Sequence, residues 1–172
     1  MGKKFELTDK FIINVFGIKL FQIKCTKSFK YAQKGDLGGY VEKEGNLDQE
    51  NDAWVSGDAW VSGNAQVSGN AQVSGDAWVY GNAQVSGNAR VSGDANIKNN
   101  NEHCGFDGFG SCNRHTHAYL TKEKKVEITC GCFRGSIEEF EKKVEETHSG
   151  TIYEKQYKAI INVIKIKFGL TD

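Results

Sequence analysis

A six-residue unit repeats eight times in succession between residues 51 and 98, and this repeat limits the folds that the chain can adopt. A typical unit reads glycine, asparagine or aspartate, alanine, a variable residue, valine and serine. One aliphatic residue and one alanine per unit give too little apolar surface for a helix face, and a period of six matches neither helical period. A short fixed period is instead typical of a solenoid. The repeat therefore predicts a parallel β-helix of triangular section, with one unit on each side and three in each coil.

Each position of the unit has a predicted place in that β-helix. The alanines are expected near the corners, and the Gly-Asn and Gly-Asp pairs supply residues that tolerate the positive φ of a turn. The aliphatic residues are expected to point inward, and they are Val55, Val61, Val67, Val73, Val79, Val85, Val91 and Ile97. An aliphatic residue with a small residue four positions later resembles the left-handed β-helix hexapeptide-repeat superfamily. That resemblance implies a mainly β protein built on a left-handed parallel β-helix.

The same period, counted backwards, divides the chain. Gly39 and Gly45 fall in phase with the repeat, so degenerate units at 39–44 and 45–50 are expected to begin the first coil. A solenoid needs its terminal coil covered, and the preceding residues alternate loosely between apolar and polar. Three parts are therefore predicted: an N-terminal β cap over 1–38, the left-handed β-helix over 39–98, and a small C-terminal α+β metal-binding lobe over 99–172.

The lobe is predicted to begin irregularly and to end in helices. Three asparagines from Asn99 and nearby glycines indicate an irregular loop, and the segments after it read as a hairpin. Ser136 followed three residues later by Glu139 is a capping box that opens a first helix. A second helix is expected from about Ile152 to Lys167.

Eight soft or borderline metal ligands lie within 46 residues of the lobe: His103, Cys104, Cys112, His115, His117, Cys130, Cys132 and His148. Five cysteines, an odd number, in a chain read as cytosolic suggest metal binding rather than disulfides. Tetrahedral zinc takes four sulfur or nitrogen ligands. We predict a zinc ion held by Cys130, Cys132 and His148 and completed by Cys112 or His117, with His103 and Cys104 as second choices. We expect only one of His115 and His117 to face the site.

Other chemistry is open to the same residues. The cysteines and histidines can be buried free thiols and surface side chains without a metal. Cys130 and Cys132 can form a redox pair, and Cys132 with His148 can act as a nucleophile and its base.

Stacking of the coils makes the three sides of the solenoid unequal. Residues 18 apart should lie about 4.8 Å from each other, the spacing of neighbouring strands. Trp60 then stacks on Trp78, and Ser62 stacks on Tyr80. Large exposed aromatic residues beside acids are typical of protein interfaces. The predicted partner-binding residues are Trp54, Trp60, Trp78, Tyr80, Asp58, Asp76 and Asp94. The alternatives are an aromatic ladder that stiffens the solenoid and a calcium site in the aspartate column.

Charge is distributed unevenly along the chain although the formal net charge is +0. Residues 1–35 carry eight lysines against Glu6 and Asp9, a balance of +6, and residues 36–97 carry nine acids against two bases, a balance of −7. No apolar stretch approaches membrane-spanning length, and no leader is recognisable at the start. These features predict a cytoplasmic protein that contacts neither membranes nor, directly, nucleic acid.

Several segments outside the repeat carry a further resemblance. They are Phe21-Gln-Ile-Lys, Lys34-Gly-Asp-Leu-Gly-Gly-Tyr-Val-Glu, and Gly131-Cys-Phe-Arg-Gly-Ser-Ile-Glu-Glu-Phe with the later His148. Together with the repeat they resemble phage and prophage hexapeptide-repeat proteins. The plan is similar to small β-helical phage proteins that include a metal-binding inhibitor of type II CRISPR effectors. The resemblance implies a non-enzymatic, zinc-stabilised counter-defence protein in the host cytoplasm, an anti-CRISPR that blocks a host defence protein, with a type II CRISPR effector nuclease as the expected target.

Other functions fit a hexapeptide repeat. A structural or self-associating protein is the main alternative, and a homo-oligomer is compatible with the flat sides of a β-helix. An acyltransferase is less favoured, because no loop interrupts the repeat and residues 1–102 contain no histidine to act as a base. A protein that sequesters a nucleotide by stacking on tryptophan lacks a phosphate cradle on the solenoid.

Overall fold

The computed structural model describes residues 2–170, which form two compact units that divide between Asn100 and Asn101. The first unit is a β-solenoid preceded by a β-hairpin, and the second combines a sheet with two helices. The predicted fold class, a mainly β solenoid with an N-terminal β cap and a C-terminal α+β lobe, is thereby confirmed. Within residues 2–170, no helix is long and apolar enough to cross a membrane.

The first unit contains three longer strands followed by eight strands of two residues each, one from every repeat unit. The longer strands are β1 (Phe5–Ile13), β2 (Lys19–Cys25) and β3 (Leu37–Val41), and a 3-10 turn follows over Glu44–Asn46. The short strands are β4 (Trp54–Val55), β5 (Trp60–Val61), β6 (Gln66–Val67), β7 (Gln72–Val73), β8 (Trp78–Val79), β9 (Gln84–Val85), β10 (Arg90–Val91) and β11 (Asn96–Ile97).

Successive coils stack in register with the predicted spacing of 18 residues. Trp60 pairs with Trp78, and Trp78 pairs with Asn96, in parallel ladders. The aliphatic residue of every repeat unit is at most 1% exposed, so these side chains form the interior of the solenoid. The glycines from Gly57 to Gly93 that open the units have φ between 60° and 70°, as expected for their turns.

The predicted phase of the first coil is wrong by two residues. Val41 pairs with Val61, and Leu47 bridges to Val67, so both lie 20 residues before their partners. The predicted units at 39–44 and 45–50 would instead have pointed the polar side chains of Lys43 and Gln49 into the interior of the solenoid. Burial of the aliphatic residues decides the register, because Val41 and Leu47 are only 0% and 2% exposed.

The N-terminal hairpin extends one side of the solenoid. β1 pairs antiparallel with β2, β2 antiparallel with β3, and β3 parallel with β5. The result is a six-stranded sheet in the order β1-β2-β3-β5-β8-β11, with β1 at one edge. The side chain of Lys4 also binds the first complete coil, since its Nζ donates to the carbonyl oxygens of Asn51 at 2.6 Å and Ala53 at 2.8 Å.

The side chain of Asn46 hydrogen-bonds backbone groups of the first coil, and this predicts an effect on stability. It is 0% exposed; its Nδ2 donates to Gly63 O at 3.2 Å and Ala65 O at 2.8 Å, and its Oδ1 accepts from Lys43 N at 3.0 Å. Asn46→Ala removes three hydrogen bonds of a buried side chain and should lower the free energy of unfolding by about 2–4 kcal/mol. Urea unfolding followed by circular dichroism measures the change.

The control for this prediction is Asn64→Ala. Asn64 is exposed, and its Nδ2 donates to Asn82 Oδ1 at 3.2 Å. Exposed hydrogen bonds contribute little net free energy, so this variant should lose about 0.5 kcal/mol or less. Equal losses for the two variants would contradict the assignment of Asn46 as a buried support of the first coil.

The second unit is an antiparallel four-stranded sheet followed by two helices. Its elements are β12 (His103–Phe109), β13 (Arg114–Leu120), β14 (Val126–Cys130), β15 (Phe133–Ser136), α1 (Ile137–His148) and α2 (Ile152–Lys167). The predicted irregular loop is therefore wrong for residues 103–109, which form an edge strand with a register shift between Phe106 and Phe109. The predicted capping box at Ser136 and Glu139 is confirmed.

Both helices pack on one face of this sheet. The core between them contains aliphatic residues of β13 and β14 and the apolar stripes of both helices. Its fully or nearly buried members include Ala118, Ile128, Cys130, Phe140, Val144, Tyr157, Ile160, Ile161 and Ile164. The sheet thereby separates the lobe into a helix-covered face and an opposite face, and this division decides which predicted metal ligands can meet.

Candidate functional site

Strand alternation sorts the cysteines and histidines of the lobe onto two faces of the sheet. Thr116 pairs with Cys130, and both belong to the helix-covered face, where Thr116 Oγ1 donates to Cys130 Sγ at 3.3 Å. His117 pairs with Thr129, one residue along each strand, so its side chain projects from the opposite face. The side chains of His117 and Cys130 therefore cannot bind the same ion.

Three of the predicted zinc ligands line one pocket on the helix-covered face. Cys130, Cys132 and His148 surround a cavity of about 120 Å³ together with Tyr157. Cys130 Sγ lies 3.8 Å from the Tyr157 hydroxyl, and the His148 ring stacks on the Tyr157 ring with 5.5 Å between centroids. Burial raises the pKa of the Tyr157 phenol, so the phenol stays protonated near neutral pH. Tyr157 thus lies among the three residues that the sequence assigned to zinc.

These residues do not converge as a closed zinc site. No group of three or more histidine, cysteine, aspartate or glutamate side chains within residues 2–170 is arranged to hold a metal ion. Cys112 is exposed in the turn between β12 and β13, and Cys104 lies on the helix-covered face, where burial raises the pKa of its thiol to about 11. Zinc binding by Cys130, Cys132 and His148 stays a prediction.

The opposite face of the sheet brings three histidines together. His115 Nε2 lies 3.3 Å from His117 Nδ1, and the rings of His103 and His117 are 5.2 Å apart between centroids. The expectation that only one of His115 and His117 could face a site is wrong, because side chains two residues apart on a strand share a face. Burial lowers the pKa of His103 to about 4 and holds the pKa of His117 well below its usual value, so both rings are neutral at neutral pH.

The aromatic side of the solenoid is organised by a residue that sequence reasoning missed. Trp60 and Trp78 stack with 5.2 Å between ring centroids, as the repeat predicts. Phe16, at the turn between β1 and β2, packs on this pair and on Tyr80, at centroid distances of 6.1, 6.4 and 5.2 Å respectively. Only the folded hairpin brings Phe16 to these rings, which lie more than 40 residues later in the chain.

Two of the tryptophans predicted to bind a partner are buried. Trp60 is 4% exposed, and Trp54 is 5% exposed, with the ring of Phe29 at 5.4 Å between centroids. Their rings pack inside the first unit instead of forming an outer surface, which corrects the predicted exposure. Trp78 and Tyr80 are half-buried. The aspartates of the predicted column, Asp58, Asp76 and Asp94, are exposed.

Four exposed apolar side chains lie on the hairpin itself. Phe11, Ile13, Val15 and Phe16 are 48%, 59%, 69% and 53% exposed. We call these four residues the hairpin patch. Phe11 and Ile13 alternate with Ile12, which packs on the aromatic cluster, so they project from the other face of the hairpin from Phe16. Exposed apolar side chains of this size are typical of sites that bind another protein. Sequence reasoning assigned the segment only to a cap because strand alternation does not tell which side of a hairpin is left uncovered.

Comparison with protein families supports the solenoid. Residues 65–81 and 83–97 match the family model described as YdcK Beta solenoid repeat. A search of curated proteins found no match. The chain is a β-solenoid repeat protein, with the hairpin patch, the pocket around Tyr157 and the three-histidine face as its candidate sites.

Proposed function

We propose that this β-solenoid repeat protein is a non-enzymatic binding protein whose hairpin patch attaches to a protein partner. The observation that carries the proposal concerns Phe16. Its side chain is 53% exposed, and its ring also packs on the rings of Trp60, Trp78 and Tyr80. An apolar side chain that is exposed but backed by packed rings is held in one position, so little entropy is lost when a partner covers it.

Charge beside the patch selects the kind of partner. Asp58 and Asp76 each precede by two residues a tryptophan of the cluster on which Phe16 packs, and both carboxylates are exposed. One cation also lies against the patch, since Lys19 Nζ is 4.0 Å from the centroid of the Phe11 ring. The exposed acids next to the tryptophans favour a partner with a complementary basic surface on that side and speed its association. Proteins that handle nucleic acids have such surfaces, and a protein bound there would exclude the nucleic acid.

The finer form of the proposal is phage counter-defence. The similarity of the chain to phage hexapeptide-repeat proteins favours a type II CRISPR effector nuclease as the partner, blocked by direct binding. Zinc in the C-terminal lobe, at Cys130, Cys132 and His148, would stabilise the lobe and take no part in chemistry. The exposed Phe16, backed by packed rings, and the exposed acids next to Trp60 and Trp78 support such an inhibitor.

The test uses the double variant Val15→Ser plus Phe16→Ser. The intact protein, added to a purified type II effector bound to its guide RNA, should reduce cleavage of target DNA and bind the effector in a pull-down. The double variant should bind at least about tenfold more weakly, because loss of two central apolar contacts at an interface costs more than 1.4 kcal/mol.

A matched control lies in the second unit. Val163 and Ile166 on α2 are 48% and 59% exposed, so Val163→Ser plus Ile166→Ser removes similar exposed apolar surface elsewhere. This control should bind like the unchanged protein. If the hairpin variant binds as tightly as the unchanged protein, the hairpin patch is not the binding site. If the protein does not bind the effector but captures a host protein through the same patch, the proposed partner is wrong and the patch remains the binding site.

Self-association is the second candidate function, and one observation favours it. β1 is the edge strand of a six-stranded sheet and carries Phe11 and Ile13, both exposed. Edge strands with apolar side chains pair readily with another strand. Sedimentation over a range of concentrations separates the candidates, because a monomer that still binds the effector excludes a purely structural role.

A further inference from the structure

The opposite face of the lobe sheet contains a pair of histidines with the geometry of a metal chelate. His115 and His117 lie two residues apart on β13, with stacked rings whose centroids are 5.5 Å apart. We propose that His115 Nε2 and His117 Nδ1 bind one divalent transition-metal ion, with zinc as the best fit. Water fills the remaining coordination positions. This site is separate from the thiols on the helix-covered face.

The distance between the two nitrogens matches a tetrahedral ion. Bonds of about 2.0–2.1 Å from zinc to histidine nitrogen, at the tetrahedral angle, place two ligand nitrogens about 3.3–3.4 Å apart. The observed separation between His115 Nε2 and His117 Nδ1 is 3.3 Å, in a hydrogen bond between the two rings that the ion would replace. An octahedral ion with similar bonds requires about 2.9 Å, so the spacing favours zinc or cobalt over metals that prefer six ligands.

Asp107 orients the first ligand. Its Oδ1 lies 2.7 Å from His115 Nδ1, on the side of the ring away from His117. A proton held on Nδ1 by this carboxylate leaves the lone pair of Nε2 directed at the proposed ion. Carboxylate–histidine–metal arrangements of this kind fix the ring and raise the basicity of the ligand. Asp107 is therefore a positioning residue and not a ligand.

Two further features suit the second ligand. His117 is 3% exposed, and within residues 2–170 its Nε2 has no hydrogen-bond partner, so the other ring nitrogen is free to carry the proton when Nδ1 binds the ion. Gly105 makes room for both rings, since a Cβ there would lie 2.7 Å from His115 Cε1 and 3.0 Å from His117 Nδ1.

The experiment separates this site from the thiols by their spectra. Intact protein, stripped of metal with a chelator, is titrated with Co²⁺ alone and then with Zn²⁺ in competition. The variant Cys130→Ser plus Cys132→Ser should still bind one Co²⁺, and its spectrum should lack a thiolate-to-metal charge-transfer band. Adding His115→Ala to that variant should weaken binding at least about tenfold, and adding Asp107→Asn should weaken it about 10-fold or more.

The outcomes decide the proposal in either direction. Circular dichroism first confirms that each variant is folded, and ring-nitrogen NMR shifts of His115 and His117 on addition of Zn²⁺ give a second readout in the unchanged protein. Loss of all Co²⁺ binding in the cysteine variant would overturn the proposal, as would affinity that is unchanged by His115→Ala.

Discussion

Replacement of Trp60 with alanine is expected to lower the free energy of unfolding by about 3–5 kcal/mol, the largest single loss from a side chain in the first unit. Trp60 is 4% exposed and contacts rings from two other parts of the chain, Phe16 and Trp78. Its removal leaves a cavity between the hairpin and the solenoid, and the stacked backbone of neighbouring coils cannot close around it. Thermal or urea unfolding followed by tryptophan fluorescence and circular dichroism measures the loss.

Trp78→Ala is the matched control for this prediction. It removes the same side chain one coil away, from a half-buried position, and should cost about 1–3 kcal/mol. A smaller loss for Trp60→Ala than for Trp78→Ala would contradict the burial of Trp60 beneath the hairpin. Loss of binding by a partly unfolded variant identifies no interface. Because Phe16 packs on Trp60 and Trp78, a binding experiment on Phe16 needs circular dichroism to show that the variant is folded.

Gly75→Ala, which adds one methyl group at a corner of the solenoid, has the second largest expected effect on the free energy of unfolding. Gly75 has a φ of 70°, and a Cβ there would lie 2.8 Å from Gly93 N and 3.1 Å from Gly93 Cα in the next coil. Gly75→Ala adds the cost of positive φ, about 1–2 kcal/mol, to the cost of forcing two coils apart, about 1–3 kcal/mol. The free energy of unfolding in urea should therefore fall by about 2–5 kcal/mol.

Gly87 provides a control position at which an added methyl group costs only the strain of positive φ. Its φ is 66°, and a Cβ there would meet no atom within 4 Å. Gly87→Ala should cost only the first term, about 1–2 kcal/mol. The difference between the two alanine variants measures how closely the coils approach, and identical losses would show that the corner glycines are needed for φ alone.

Features that depend on neighbouring residues in the chain were predictable from the sequence. The capping box at Ser136 and Glu139 opens α1 as expected, and α2 spans the predicted range from Ile152 to Lys167. Both signals operate within a few residues, where hydrogen-bond geometry and helical periodicity dominate. The stacking of Trp60 on Trp78 was also predictable, because a regular repeat converts separation along the chain into distance in space.

The candidate sites were only partly predictable. Cys130, Cys132 and His148 do meet around one pocket, but Tyr157 from α2 also lines it. His117 was grouped with the thiols by its nearness in sequence, whereas the pairing of β13 with β14 places it on the other face. Attention to the two-residue period of a strand could have paired His115 with His117. Nothing local to Asp107 indicates that it bonds His115, because a register shift in β12 controls that approach.

The sequence by itself determined the solenoid, its coil length and the inward direction of its aliphatic residues, since one short pattern repeated in phase has a single way to bury its apolar side chains. Only the tertiary structure decided which outward residues remain exposed. A hairpin that joins the solenoid as extra strands covers Trp60 and leaves Phe16 in solvent, and that choice depends on sheet pairing between β2 and β3. Such pairing is set by the summed packing of distant segments, which leaves no periodic trace in the chain.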